Sequence, residues 1–301
     1  MERPVCIVLG AAGQVGRELC SSLAGRWEVV PVTRARCDLG SEQAVQRLLG
    51  EVAPRLIVNA AAYNAVDRAE SDQEAAWRIN ARLPELVGAA ATALRARVVH
   101  YSTDYVFDGA ADAPYPESAV PRPINAYGRS KLEGEERLLA TGADALVIRT
   151  SWVIGRVGDN FARRILRLAT TRDDLSIVTD EVSIPTSAPA LATATAALVD
   201  KTDAGLRGGV PRLHLACGGV ASRFEYAAFV LRAAEAAGVP LRVSPARLRP
   251  TTAAAFSAPA RRPSDSRLDC GLAARRFGVV LPDWRLAVGE ILPDILADSR
   301  D

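Results

Sequence analysis

The chain has 301 residues, 49% of them hydrophobic, enough to bury a sizeable core in one large domain or two closely packed ones. A formal charge of +2 argues against a dedicated nucleic-acid binder. Five cysteines without CxxC spacing (Cys6, Cys20, Cys37, Cys217, Cys270) and only two histidines, His100 and His214, argue against a zinc site and for free thiols in a reducing compartment. The apolar run after Met1 is too short for a signal sequence, and no stretch reaches the roughly eighteen apolar residues of a membrane span. A cytoplasmic protein without a membrane partner is expected.

Strands and helices alternate along the first half. Val5–Gly10 reads as a strand, Val15–Gly25 as a helix with a glycine stop, and Trp27–Thr33 as a second strand. Ser41 caps a helix to Val52, Arg55–Ala62 is a buried strand, and a helix covers roughly 74–94. Arg97–Thr103 and Ala145–Val153 are further strands. Near-continuous apolar strands separated by helices predict an α/β fold, a doubly wound parallel sheet of the Rossmann kind. After about residue 150 the rhythm loosens and prolines gather. The expected division is a dinucleotide-binding domain over 1–152 and a smaller, interleaved substrate domain over 153–301. Within the latter, Leu175–Asp180, in a segment near 174–205, is a candidate for return to the main body.

GAAGQVG sets Gly10, Gly13 and Gly16 between the first strand and the first helix. Glycine there permits a tight turn, close approach of a pyrophosphate and close helix packing, while the helix N-terminus offers free N–H groups to an anion. The alternative is a merely structural turn. No acid stands at the tip of the second strand, which reads Thr33-Arg34-Ala35-Arg36. Arg34 is placed to pair with the 2′-phosphate of NADPH, and NADH remains the alternative if that arginine is only solvated. Asp38 and Leu39 follow as candidates for the adenine.

HYSTDYVFDG brings Ser102, Thr103 and Asp104 to a strand end, and AYGRSK brings Tyr127 and Lys131 four residues apart, on one helical face. An ammonium about 4 Å from a phenol contributes on the order of 1–4 kcal/mol, enough to lower its pKa by roughly one to three from near 10. The phenol is then a usable proton donor, and the Thr103 hydroxyl would polarise the same substrate oxygen. Taken alone, the same spacing is often surface decoration.

With these pieces, and with VNAAAYNAVDRAE, PINAYGRSKLEGE, IRTSWVIG, HLACGG and RRPSDSRLD, the chain resembles the extended short-chain dehydrogenase/reductases. Within them it is similar to the dTDP-4-dehydrorhamnose reductase family over nearly its whole length. The resemblance implies an NADPH-dependent enzyme that reduces the C4 keto group of a dTDP-4-dehydro-6-deoxy sugar. It implies that Gly13, Gln14 and Val15 wrap the pyrophosphate and that Ala61, Ala62 and Tyr63 border the nicotinamide half. Tyr127 is then the general acid, Lys131 holds the ribose, and Thr103 and Asp104 contact the sugar. Trp152 packs on the sugar and Arg262 reaches the nucleotide phosphates. The bland alternatives are a core tryptophan and a surface ion pair.

The chain also departs from that family. Relatives that share a divalent ion at a dimer contact carry a glutamate soon after the segment matching Pro185-Thr186. Here Ser187-Ala188-Pro189-Ala190-Leu191 follows, which counts against that metal and that dimer. A monomer or a homodimer of another kind is expected. Ser183-Ile184 replaces the start of a Gly-x-Pro-Thr loop, which keeps open a different keto-deoxysugar. Two further alternatives are an epimerase or dehydratase that recycles its cofactor, disfavoured by Tyr105 after Asp104, and a non-catalytic NADP-binding regulatory subunit.

Overall fold

Strand β1 (Val5–Leu9) sends Cys6 and Val8 to one side and Ile7 and Leu9 to the other, and all four are fully buried. Such a strand needs helices on both faces, and the computed structural model, which describes residues 2–201 and 210–297, supplies them. Strands β2 (Glu28–Val32), β3 (Leu56–Asn59), β4 (Arg97–Thr103), β5 (Asp144–Thr150) and β6 (Arg212–His214) join β1 in one sheet, in the order β6-β5-β4-β3-β1-β2. Every pairing in it is parallel. The chain order reverses at β1, flanked by β2 and β3, and that switch point opens a crevice at the carboxyl ends of the strands.

Helix α1 (Gln14–Leu23) covers one face, buries Leu19 and Leu23, and packs along a later helix, Ala188–Lys201. Helices α2 (Glu42–Val52) and α3 (Leu83–Leu94) cover the other face. Ser41 caps α2 by accepting from Ala44 N–H at 3.4 Å. Helix α4 (Ala126–Ala140) is capped by Asn125, whose side chain accepts from Gly128 N–H at 2.7 Å.

Three expected elements differ in detail. The helix expected over 74–94 is a short helix, Gln73–Trp77, then a π-helical turn, Arg78–Arg82, then α3. Pro84 opens α3, and the wide turn carries Asn80 inward, where it donates to the Tyr63 carbonyl and to Ser130 Oγ, both at 3.0 Å. The strand expected over 145–153 stops at Thr150. Trp152 has a positive φ of 38°, which breaks the extended run, and Val153–Ile154 pairs instead with Thr186–Ser187. Leu175–Asp180 does not enter the main sheet: its strand Ser176–Val178 pairs with Arg249–Thr251. The segments that rejoin the main body are Ala188–Lys201 and β6; residues 202–205 lie outside the described residues.

Smaller two-stranded sheets build the rest. Val182–Ser183 pairs antiparallel with Ala221–Ser222, and a bridge joins Val182 to Asp265. These contacts carry Ser183 and Ser266 to the ends of β4 and β5. Helix α5 (Arg223–Ala236) begins there with a capping box between Ser222 and Glu225.

Candidate active site

An open cleft of about 520 Å³ lies along the strand ends. Every residue expected to touch cofactor or sugar lines it, Arg262 apart. Its floor is the glycine turn. Gly10 has φ +79°, and a Cβ there would come within 2.7 Å of Ala61 N; a Cβ on Gly16 would sit 2.2 Å from Gly10 O. Both positions therefore require glycine, and α1 starts close against the turn with no acid in its first turn. Its leading N–H groups have no partner within the helix and favour an anion. The Gln14 side chain faces elsewhere: Oε1 accepts from Gly155 N–H at 2.7 Å and from Asn160. Arg34 is exposed at the rim beyond β2, and Asp38 there accepts from Gly40 N–H at 2.9 Å. Ala61, Ala62 and Tyr63 follow β3, with Tyr63 clamped by Asn80.

Tyr127 and Lys131 stand on the first turns of α4, which lies close against the loop after β4: a Cβ on Gly128 would meet Tyr105 O at 2.1 Å. Tyr127 is partly buried, packs edge-on against Tyr105 at 5.9 Å between ring centroids, and lines the same cleft as Thr103. Burial raises its phenol above the ordinary value; the neighbouring Thr103 hydroxyl works the other way, and the Asp104 charge adds to the rise. The expected depression by Lys131 is thus not what the structure shows. The Lys131 ammonium points under the strand end and donates to Tyr101 O at 2.6 Å, and burial pulls its own pKa down to about 8.

Asp104 is almost fully buried, and both its oxygens are taken. Oδ1 accepts from Thr103 at 3.1 Å, and Oδ2 accepts from Ser266 at 2.5 Å and Ser183 at 3.2 Å. Burial nonetheless pushes this carboxyl up to about 6. Trp152 lines the cleft, with Arg223 Cζ 3.6 Å from its ring centroid and the Tyr226 ring stacked near it at 6.4 Å between centroids. Arg262 pairs with Asp67 at 2.8 Å. Thr150 Oγ1 lines the cleft, buried and without a hydrogen-bond partner.

Sequence reasoning missed four participants. Glu135 lies under the site, fully buried, bound by Arg149 through two bonds of 2.9 and 2.7 Å, by Arg212 at 3.0 Å and by Ser102 at 2.5 Å. Its place one helical turn after Lys131 was the available signal. His100 approaches Lys131 Nζ at 3.5 Å and Asn59 at 3.1 Å; a histidine just before the strand end was visible but had no stated partner. Nothing local marks Arg223 or Ser266.

A family profile described as the RmlD substrate binding domain matches residues 5–297. A protein of Burkholderia thailandensis named dTDP-4-dehydrorhamnose reductase is 42% identical, over 97% of this chain and 99% of the relative. The chain belongs to the dTDP-4-dehydrorhamnose reductase family. Within the same reach, a Streptomyces antibioticus protein named a probable dTDP-4,6-dihydroxy-2-methyloxan-3-one 4-ketoreductase is 38% identical over 97% of this chain and 95% of its own. The crystal structure of dTDP-4-dehydrorhamnose reductase from Bacillus anthracis, in complex with NADP, superimposes with a TM-score of 0.87 at 29% identity, covering 97% of this chain and all of the other. The family's reductases thus share this chain's fold from end to end.

Proposed function

We propose that this chain uses NADPH to reduce the C4 keto group of a dTDP-4-dehydro-6-deoxy sugar, foremost dTDP-4-dehydrorhamnose to dTDP-L-rhamnose. The observation that carries the reading is that the Tyr127 phenol and Thr103 line the same cleft as the glycine turn and the start of α1. The residues present fit a dinucleotide. Side-chain-free Gly10 and Gly13, the leading amides of α1, the exposed Arg34 and the partnerless Thr150 hydroxyl suit a long, anionic, polar ligand. Gly13, Gln14 and Val15 would hold its pyrophosphate, Arg34 its 2′-phosphate, Asp38 and Leu39 its adenine, and Ala61, Ala62 and Tyr63 its nicotinamide half. Bound there, the cofactor supplies the hydride for C4.

The remaining work belongs to the protein. Tyr127 gives its proton to the C4 oxygen as negative charge develops on it. Lys131 holds positive charge below the reacting centre and is placed for the cofactor ribose. Trp152, which lines the cleft, would meet the apolar side of a deoxysugar. Residues 1–152 would hold the cofactor and the later segments the sugar nucleotide. We assign the protein to the cytoplasm, as a monomer or homodimer; among the described residues no helix is long and apolar enough to cross a membrane.

A second reading, another dTDP-keto-deoxysugar as substrate, is favoured by one observation: Ser183, in the loop that departs from the family pattern, puts a hydroxyl on Asp104 beside the pocket. Absorbance assays with dTDP-4-dehydrorhamnose and each nicotinamide in turn test both. The expected result is one NADPH consumed per sugar, with NADPH preferred. Arg34→Ala should weaken NADPH about tenfold, the loss of a charged hydrogen-bonding partner, and leave NADH unchanged. Turnover without net NADPH consumption would overturn the reductase reading. Faster turnover of a different 4-keto sugar would favour the second.

A further inference from the structure

His100 lies buried in β4, with a polar partner at each ring nitrogen. Asn59, at the end of β3, decides which nitrogen carries the proton. Its Oδ1 accepts from Ala61 N–H at 3.2 Å, a group that can only donate, and this fixes the orientation of the amide. The amide NH2 then faces His100 Nδ1 at 3.1 Å. An NH2 group has no acceptor site, so Nδ1 is the bare, accepting nitrogen. Burial and the Lys131 charge both keep the ring neutral, with a single ring proton, and that proton sits on Nε2. The Nε2–H faces Lys131 Nζ, 3.5 Å away.

An ammonium has three hydrogens and no acceptor site, whereas the neutral amine has a lone pair. Nζ donates to Tyr101 O at 2.6 Å, which either form can do. Only the amine can accept from His100. Resting on the reading of Lys131 as the cation below the reacting centre, we propose that His100 is a positioning residue: it turns an N–H toward Nζ and so favours release of the Lys131 proton, and Asn59 fixes the tautomer that does this. Burial of Lys131 works in the same direction, and the Glu135 charge, one turn along α4, works against it. The other titratable or charged groups around Lys131 are Tyr127 one turn back, Asp104 beyond the end of β4, and Arg149 and Arg212, both bonded to Glu135. The charged side chains of residues 66–85, which pack along α4, are all in ion pairs of their own. Among the described residues, His100 is the titratable group within hydrogen-bonding distance of Nζ. The result is a lysine poised to change its charge nearer neutral pH than one held by acceptors alone.

The chain has two histidines and two lysines, Lys131 and the exposed Lys201, so NMR of the resting protein can follow both groups directly. Nitrogen spectra of labelled histidine should show one ring of each tautomer: His100 protonated on Nε2, and His214 on Nδ1, which faces the Tyr115 carbonyl at 3.0 Å. His100→Phe assigns the rings by removing one of them. A His100 ring protonated on Nδ1 would overturn the proposal, and so would two rings both protonated there, a result that needs no variant. Carbon spectra of labelled lysine then give the Lys131 midpoint, with Lys201 as the reference. It should lie at about 8 in the wild type. In His100→Phe, which keeps the bulk but lacks the N–H, it should rise by about one pH unit. In the wild type the His100 Nε2 signal should move through the same midpoint, as the bond to the amine forms. A Lys131 midpoint unmoved in His100→Phe, or an Nε2 signal that stays flat through it, would leave burial alone in control of Lys131 and end the proposal. None of these measurements involves turnover, so such results sink this inference alone. An alkaline limb of kcat/KM that stays in place in Lys131→Arg sinks the reading beneath it.

Discussion

Glu135 and Asp104 are both buried carboxylates, and each takes a hydroxyl from β4, Glu135 from Ser102 and Asp104 from the next residue, Thr103. Burial would raise both. At Glu135 the two-pronged bond from Arg149, with Arg212 beside it, reverses that and holds the carboxyl below its ordinary range. At Asp104 there are only hydroxyls, with the Arg223 charge reaching it from farther off, and the carboxyl rises to about 6. Hydrogen bonds satisfy a buried carboxylate; a guanidinium also neutralises it. The neutralised group is scaffold under the site, tying α4 to β5 and β6. The merely satisfied group sits beside Tyr127, where its charge can be felt.

The largest expected break in this contrast is Glu135→Ala. It leaves the Arg149 guanidinium buried and uncompensated, and should cost about 3–5 kcal/mol in denaturant unfolding. If it costs no more than a surface substitution, the pair is not scaffold. Asp104 should show itself through pH. Its pKa is raised on folding from 3.8 to about 6, so its contribution to stability is full below about 4 and is lost as pH rises through about 6. Relative to Asp104→Asn, the wild type should gain on the order of 3 kcal/mol between about pH 7 and pH 4. Glu135, lowered on folding, behaves in the opposite sense: its contribution is present above about 4.5 and is lost as pH falls. A flat stability difference for Asp104→Asn across that window would erase the contrast.

Lys131 lies on the Glu135 side and is lowered by burial to about 8. Above that pH it loses its charge, so kcat/KM should fall about tenfold per pH unit. In Lys131→Arg that limb should vanish from the accessible range; a limb that stays at the same pH belongs to another group. The smallest effect is expected on the Asp104 side, at Arg223. Arg223→Gln removes a guanidinium stacked on Trp152, a contact worth about 0.5–1 kcal/mol. KM for the sugar nucleotide should rise roughly two- to fivefold with kcat held. A fall in kcat at constant KM would place Arg223 in the chemistry instead.

What the sequence made legible was what repeats locally. Alternating faces of apolar strands, the glycine turn before α1, and the spacing of Tyr127 and Lys131 are short-range patterns with one physical meaning each. Spacing says which face of a helix two residues share, but not where a long side chain ends. Lys131 therefore carried an expectation about Tyr127 that the Tyr101 carbonyl overrides. The partners of Asp104 could not be read, because Ser183 and Ser266 lie 79 and 162 residues away, and no local pattern announces a bond across that distance. The π turn at 78–82 was hidden for a related reason, since its cause is the capture of Asn80 by the Tyr63 loop.

The most direct test of the account is the rate of NADPH oxidation by Tyr127→Phe with dTDP-4-dehydrorhamnose, measured beside the affinity for NADPH alone. The account predicts a fall in kcat of about a hundredfold or more, the usual worth of a positioned proton donor, with NADPH affinity unchanged. A variant that turns over within a few-fold of the wild type would contradict it.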